Sequence, residues 1–210
     1  MTPPRIAAVL LFCLRAGTLP AAEPAHDHAA TGQGGSVQGG SVQGASVVGT
    51  YSVADLAFLT HMIVHHQQAL ELCALVQERS QREEFHRFAR YLNDAQQAEI
   101  DQMEALLQQA ASRGATIPEA RFDADPPMAG MLSMAQMAAI AQAHGRDFER
   151  LWLEGMIRHH QGAVDMALAQ QEAQYRNRNQ PFGLDTLVDD MLAVQRAEIA
   201  RMKDWLVDWR

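Results

Sequence analysis

Phe58-Leu-Thr-His-Met-Ile-Val-His-His-Gln-Gln-Ala69 and Trp152-Leu-Glu-Gly-Met-Ile-Arg-His-His-Gln-Gly-Ala163 are one segment written twice. Met62, His65, His66 and Ala69 of the first copy fall on Met156, His159, His160 and Ala163 of the second. A further match follows each copy in the same order. Gln96-Gln-Ala-Glu-Ile100 aligns with Gln195-Arg-Ala-Glu-Ile199, and Met103 falls on Met202. Two matches at nearly equal spacing mark a tandem duplication, and a repeat of this kind decides architecture before local propensity does.

All four matched segments carry helical periodicity. At about 100° per residue, a helix centred on Met62 places His65 and His66 on either side of it, with Phe58, Ala69 and Cys73 nearby. Val64, Gln67, Gln68, Glu71 and Glu78 share the opposite face, which reads as mostly solvated. In the second copy Met156 is central, His159 and His160 flank it, and Ala163 and Ala167 follow. Glu154, Arg158, Gln161 and Asp165 point outward. Ser52-x-x-Asp55, Ser80-x-x-Glu83 and Ser133-x-x-Gln136 resemble capping boxes. Gly114, Gly183, Pro118 and Asp125-Pro126-Pro127 punctuate. The pattern predicts helices over 53–79, 82–112, 146–176 and 185–209, with a short extra helix over 133–143. The fold expected is all-α: an antiparallel four-helix bundle made of two tandem helical hairpins about a pseudo-twofold axis.

The rest of the chain bounds the function. Of 210 residues, 48% are hydrophobic and 20% charged, and the formal net charge is −8. An acidic chain without a basic stripe excludes a nucleic-acid partner. No apolar run reaches the roughly 18–20 residues of a membrane span. Cys13 and Cys73 cannot build a disulfide scaffold or a CxxC-type zinc site. Residues 1–25 read as a signal peptide: Arg5, the apolar run Ile6–Leu14, and small-residue cleavage points within Leu19-Pro-Ala-Ala-Glu-Pro-Ala25. That places the mature protein in the periplasm or outside the cell. Residues 26–50 read as a flexible Gly/Ser/Gln tether, because Gly34-Gly-Ser-Val-Gln38, Gly39-Gly-Ser-Val-Gln43 and Gly44-Ala-Ser-Val-Val48 can bury almost nothing. His26-Asp27-His28 opens it, either as a solvated spacer or as a metal-catching element. Residues 51–210 form the duplicated bundle domain.

Each hairpin's partner helix carries an oddity. Glu99 shares its face with Leu92, Ala95, Met103, Leu106 and Ala110. Glu198 shares its face with Met191, Val194, Met202, Trp205 and Trp209. A carboxylate within an apolar stripe is costly unless a charge, a metal or strong hydrogen bonds satisfy it. Four imidazoles, two carboxylates and the thioethers of Met62, Met103, Met156 and Met202 therefore gather around the axis as candidate metal ligands. Two readings stay open for the carboxylates. They bind an ion directly, or they accept the ring N–H of a ligating histidine. A metal-free core with two buried His–Glu ion pairs would use the same residues. Met128, Met131, Met134 and Met137 recur every third residue, either as one apolar helix face or as a ladder of soft ligands. Thioethers with paired histidines tilt the metal toward copper.

At these residues the sequence resembles the secreted bacterial family known as domain of unknown function 305 (DUF305). Its hallmark is a Met-Ile-x-His-His-x-x-Ala segment followed by a Glu-Ile-x-x-Met helix, and the likeness covers about Asp55–Trp209. It implies a ferritin-like four-helix bundle. Members of the CopM type bind copper and are linked to copper tolerance. The resemblance thus implies copper, as Cu(I) or Cu(II), or another transition metal, at Met62, His65, His66, Met156, His159 and His160. Glu99, Met103, Glu198 and Met202 join that set. Val64 departs from the Pro common in the family.

The expected function is extracytoplasmic metal binding: copper sequestration and tolerance, or exchange with a copper-transport or copper-delivery protein. The absence of a recognisable catalytic nucleophile favours binding over catalysis. One alternative is a ferritin-like di-metal oxidoreductase, which needs four carboxylates and two Glu-x-x-His motifs. Only Glu83-x-x-His86 matches that pattern. The other alternative is a metal-free helical interaction module.

Overall fold

Five helices run through the chain: α1 (Val53–Arg79), α2 (Glu83–Ser112), α3 (Met134–Gln142), α4 (Gly145–Asn177) and α5 (Leu184–Asp208). They come from a computed structural model that describes residues 51–122 and 128–209. The expected signal peptide, the tether, His26-Asp27-His28 and Asp125-Pro126-Pro127 lie outside the described residues. Among the described residues there is no strand, and no helix is long and apolar enough to cross a membrane. Each helix lies within a residue or two of its expected span.

Two of the three capping boxes form. The Ser52 hydroxyl accepts from the Asp55 N–H while the Asp55 carboxylate accepts from the Ser52 N–H at 2.7 Å. Ser133 and Gln136 do the same at the start of α3. Ser80 does not cap α2, which starts from Arg82 without a side-chain cap. Its hydroxyl instead donates to the buried Glu149 carboxylate at 2.6 Å, and the other Glu149 oxygen accepts from Arg82 at 2.8 Å. A buried carboxylate outbids a helix N-terminus for that hydroxyl because it has no water to fall back on.

α1 packs on α2 and α4 on α5, forming two antiparallel hairpins. The hairpins meet through α1 and α4, while α2 and α5 touch sparsely and α3 lies against α4. One end of the core gathers Leu72, Phe85, Phe88, Phe148, Trp152, Met156 and Met202. The other gathers Leu59, Met62, Met103, Ala163, Leu184 and Met191. Trp152 is fully buried where three helices meet. Its indole N–H donates to the Leu72 carbonyl at 2.8 Å, and its ring stands edge-on to Phe85 at 4.8 Å.

The predicted outward faces hold with two corrections. Gln67, Glu71, Glu78, Glu154, Arg158, Gln161 and Asp165 are exposed, but Val64 is half-buried and Gln68 fully buried. The segment between the repeats crosses α1 there and uses the Gln68 amide, which helical periodicity alone does not reveal.

Trp152→Ala should destabilise the bundle by about 3–5 kcal/mol, as loss of a large core aromatic does, read from urea unfolding of the full chain. A change under 1 kcal/mol would mean the site collapses freely around the gap.

Candidate metal centre

Neighbouring side chains on a helix diverge by about 100°, so two adjacent histidines cannot face one point unaided. The bundle resolves this by giving each ring a different neighbour. His65 and His159 cross between α1 and α4, with ring centroids 3.8 Å apart and planes tilted by 37°. His66 and His160 turn toward their own hairpin partners. Nε2 of His66 lies 2.5 Å from the Glu99 carboxylate, and Nε2 of His160 lies 3.0 Å from the Glu198 carboxylate. All four rings are buried. Glu198 is 3% exposed and the Glu99 side chain 14%.

The inner pair is held by main chain. His159 Nε2–H donates to the His65 carbonyl at 2.9 Å, and His65 Nε2–H donates to the Ala129 carbonyl at 3.0 Å. A carbonyl can only accept, so both rings carry a proton on Nε2. Their Nδ1 atoms are buried without a hydrogen-bond partner, as are those of His66 and His160.

Protonation offers Nδ1 no relief in the inner pair. Burial, reinforced by the neighbouring His66, pushes His65 down to about 3 against the Ala129 hydrogen bond that raises it. Burial, followed by the charges His65, His160 and His66 would carry, holds His159 well below the usual histidine range. Both rings are therefore neutral near pH 7, and each Nδ1 is a bare lone pair in the protein interior.

Met62, Met103, Met156 and Met202 are fully buried. Met62 and Met156 sit one turn before His65 and His159 on the same helix face, and Met103 and Met202 sit one turn after the two glutamates. Among the described residues no group of three or more His, Cys, Asp or Glu side chains is disposed to hold a metal ion. One oxygen of each glutamate already accepts from an imidazole. Cys73 packs in the core as a thiol, pushed up to about 12 by burial and then by the Glu198 charge.

Other motifs lie elsewhere. Glu83 is exposed beside Arg87 and Arg90, and His86 donates to the Ser80 carbonyl at 2.8 Å, so the Glu-x-x-His pair belongs to the α1–α2 turn. Met134 is 70% exposed, while Met128, Met131 and Met137 are half-buried, so the methionine ladder forms no continuous core stripe. Gln68, Ala129, Gly130 and Gly162 had no place in the sequence-based site. The signal that could have found them is a change from a polar side chain to none within the repeated motif, Gln68 against Gly162.

Comparison with known proteins places the chain among relatives. The sequence profile of a domain of unknown function (DUF305) matches residues 55–206. A DUF305 fragment from Deinococcus radiodurans is 32% identical, with a TM-score of 0.65 over 75% of this chain and 97% of that one. A DUF305 protein from Streptomyces coelicolor, described as secreted, is 31% identical, with a TM-score of 0.63 over 74% and 91%. CopM in its Cu(I)-bound form is 28% identical, with a TM-score of 0.57 over 74% and 96%. CopM is also known in Cu(II)-bound and Ag-bound forms. Among curated proteins nothing matches the chain.

The buried neutral histidines make stability depend on pH. An unfolded histidine titrates near 6.5 and folded His65 near 3, so between those values the unfolded chain binds more protons. Stability of the metal-free protein should be full above about pH 6.5 and fall as pH drops, by up to about 1.4 kcal/mol per unit for each such histidine. Urea midpoints from pH 7.5 to 4.5 measure this; a flat profile would show that these rings are not held neutral.

Proposed function

The chain belongs to the DUF305 family, and from its buried histidine centre we propose that it binds copper outside the cytoplasm, sequestering the ion or passing it on. The observation that supports this most is the set of four buried Nδ1 atoms without partners. A purely structural core has no reason to leave the same nitrogen of four imidazoles bare, since each unmet buried polar group costs stability. An ion that takes a lone pair removes that cost at every ring.

The chemistry of the donors points to a soft or borderline ion. Imidazole and thioether suit copper, whereas hard cations favour carboxylate-rich surroundings. His65, His66, His159 and His160 would offer Nδ1, and Met62, Met103, Met156 and Met202 would offer sulfur. A monovalent soft ion accepts low coordination numbers and so does not require a group of three or more His, Cys, Asp or Glu ligands, of which none is found among the described residues. Glu99 and Glu198 would act one step back. By accepting from Nε2 of His66 and His160 they orient each ring, hold its proton on the far nitrogen and raise the basicity of Nδ1. Used in this way, Glu99 and Glu198 are taken up by imidazoles, whereas a di-metal oxidase needs four carboxylates as direct ligands. The forms in which CopM is known, with Cu(I), Cu(II) and Ag, support the same choice of ion.

Location is part of the proposal. Residues 1–25 would direct export and residues 26–50 would tether the bundle, leaving residues 51–210 to exchange metal with a copper-transport or copper-delivery protein. The Streptomyces relative described as secreted agrees with this.

Competition with a chromophoric Cu(I) chelator tests the reading. Wild type should compete, and the double variant His65→Ala/His159→Ala should lose the tightest site while circular dichroism keeps its helicity. Glu198→Gln should weaken copper binding by about 10–100-fold. No copper binding by wild type, or unchanged stoichiometry and affinity in the double variant, would refute it.

A further inference from the structure

We propose that Gln68 is a positioning residue for this centre. Clamped onto the segment between the two repeats, it holds the Ala129 carbonyl against His65 and thereby keeps Nδ1 of that ring bare.

Three observations converge on this. First, the buried Gln68 amide grips Leu132 at both ends. Its Nε2 donates to the Leu132 carbonyl at 2.9 Å, and its Oε1 accepts from the Leu132 N–H at 2.8 Å. A side chain bonded twice to one backbone residue fixes that residue's position and direction. Gln68 lies one helical turn beyond His65, on the same flank of α1.

Second, the strap from Ala129 to Leu132 can reach His65 only because two glycines let it through. Gly130 has φ +76°, and a Cβ on it would lie 2.5 Å from the Arg158 carbonyl oxygen. A Cβ on Gly162 would lie 2.0 Å from the Ala129 carbonyl oxygen. The strap therefore lies directly on the α4 backbone, with no side chain between. In the duplication Gln68 and Gly162 occupy equivalent positions. One copy grips the strap and the other makes room for it.

Third, the strap breaks the pseudo-symmetry at the ring that matters. His159 donates to the His65 carbonyl, an acceptor within α1, whereas His65 donates to Ala129 of the strap. Were the strap displaced, the His65 N–H would lose its acceptor. The ring would then be free to turn or to move its proton to Nδ1, the nitrogen assigned to the ion. His159 keeps its own acceptor and serves as an internal control.

Only the copper arm of the test rests on the proposed function. In the full chain without metal, with the histidine rings labelled with ¹⁵N, both His65 and His159 should show the Nε2–H tautomer. Gln68→Ala should move the His65 ring off the Nε2–H tautomer, while His159, whose shifts feel the neighbouring ring, should keep it. Gly162→Ala should do the same with Gln68 intact. Alanine is favoured over glycine within a helix, so α4 itself should not fray. Both variants should keep their helicity and bind Cu(I) roughly 10–100-fold more weakly, the range seen when a partner orienting a ligand is lost. An unchanged His65 tautomer in both variants overturns the proposal, as does equal disturbance of His65 and His159. If wild type binds no copper while the tautomer shift is confined to His65, the positioning role stands and the copper reading fails.

Discussion

An imidazole has two nitrogens, and burial demands a partner for each. In this bundle four buried rings meet that demand by half. Every Nε2 is committed, two to carboxylates and two to carbonyls, and every Nδ1 has nothing. The rest of the centre follows from this imbalance. The two glutamates are tolerated in apolar stripes because a histidine N–H stands before each. The inner rings stay neutral because burial, reinforced by the neighbouring imidazoles, disfavours their charged form. What is left is a set of buried ring nitrogens without hydrogen-bond partners, the feature on which the proposed copper binding rests.

The scaffold that holds these rings is made by repetition. One helical hairpin cannot bury its inward stripe alone, and two copies cover each other across the α1–α4 contact. The aromatic end of the core, around Phe85 and Trp152, and the aliphatic end, around Leu59 and Leu184, bracket the histidines. Close packing on both sides restricts how far the rings can turn. Under the proposed function, preorganisation of this kind would lower the ordering cost of binding.

Duplication did not leave two equal halves. The segment joining the repeats is needed once. Its passage over α4 demanded a glycine at position 162, while its anchorage on α1 was met by a glutamine at position 68. The halves also differ in cover, since Glu198 is more deeply buried than Glu99. A repeat protein with a single connecting strap acquires such asymmetry from chain connectivity alone.

The duplicated Met-Ile-x-His-His and Ala-Glu-Ile-x-x-Met segments by themselves determined that the chain is helical, where its four long helices lie, and that imidazoles, carboxylates and thioethers turn inward. Those properties depend on residue spacing along one helix, which a linear string records. Three matters were decided only by tertiary structure. The glutamates hold histidine nitrogens, Ser80 leaves its cap for Glu149, and Gln68 is buried beneath the strap. Each depends on which group from a distant segment arrives within hydrogen-bonding distance. A helical wheel around one axis contains no information about what stands opposite it. The partner of a buried polar atom is a property of two segments, and folding alone brings them together.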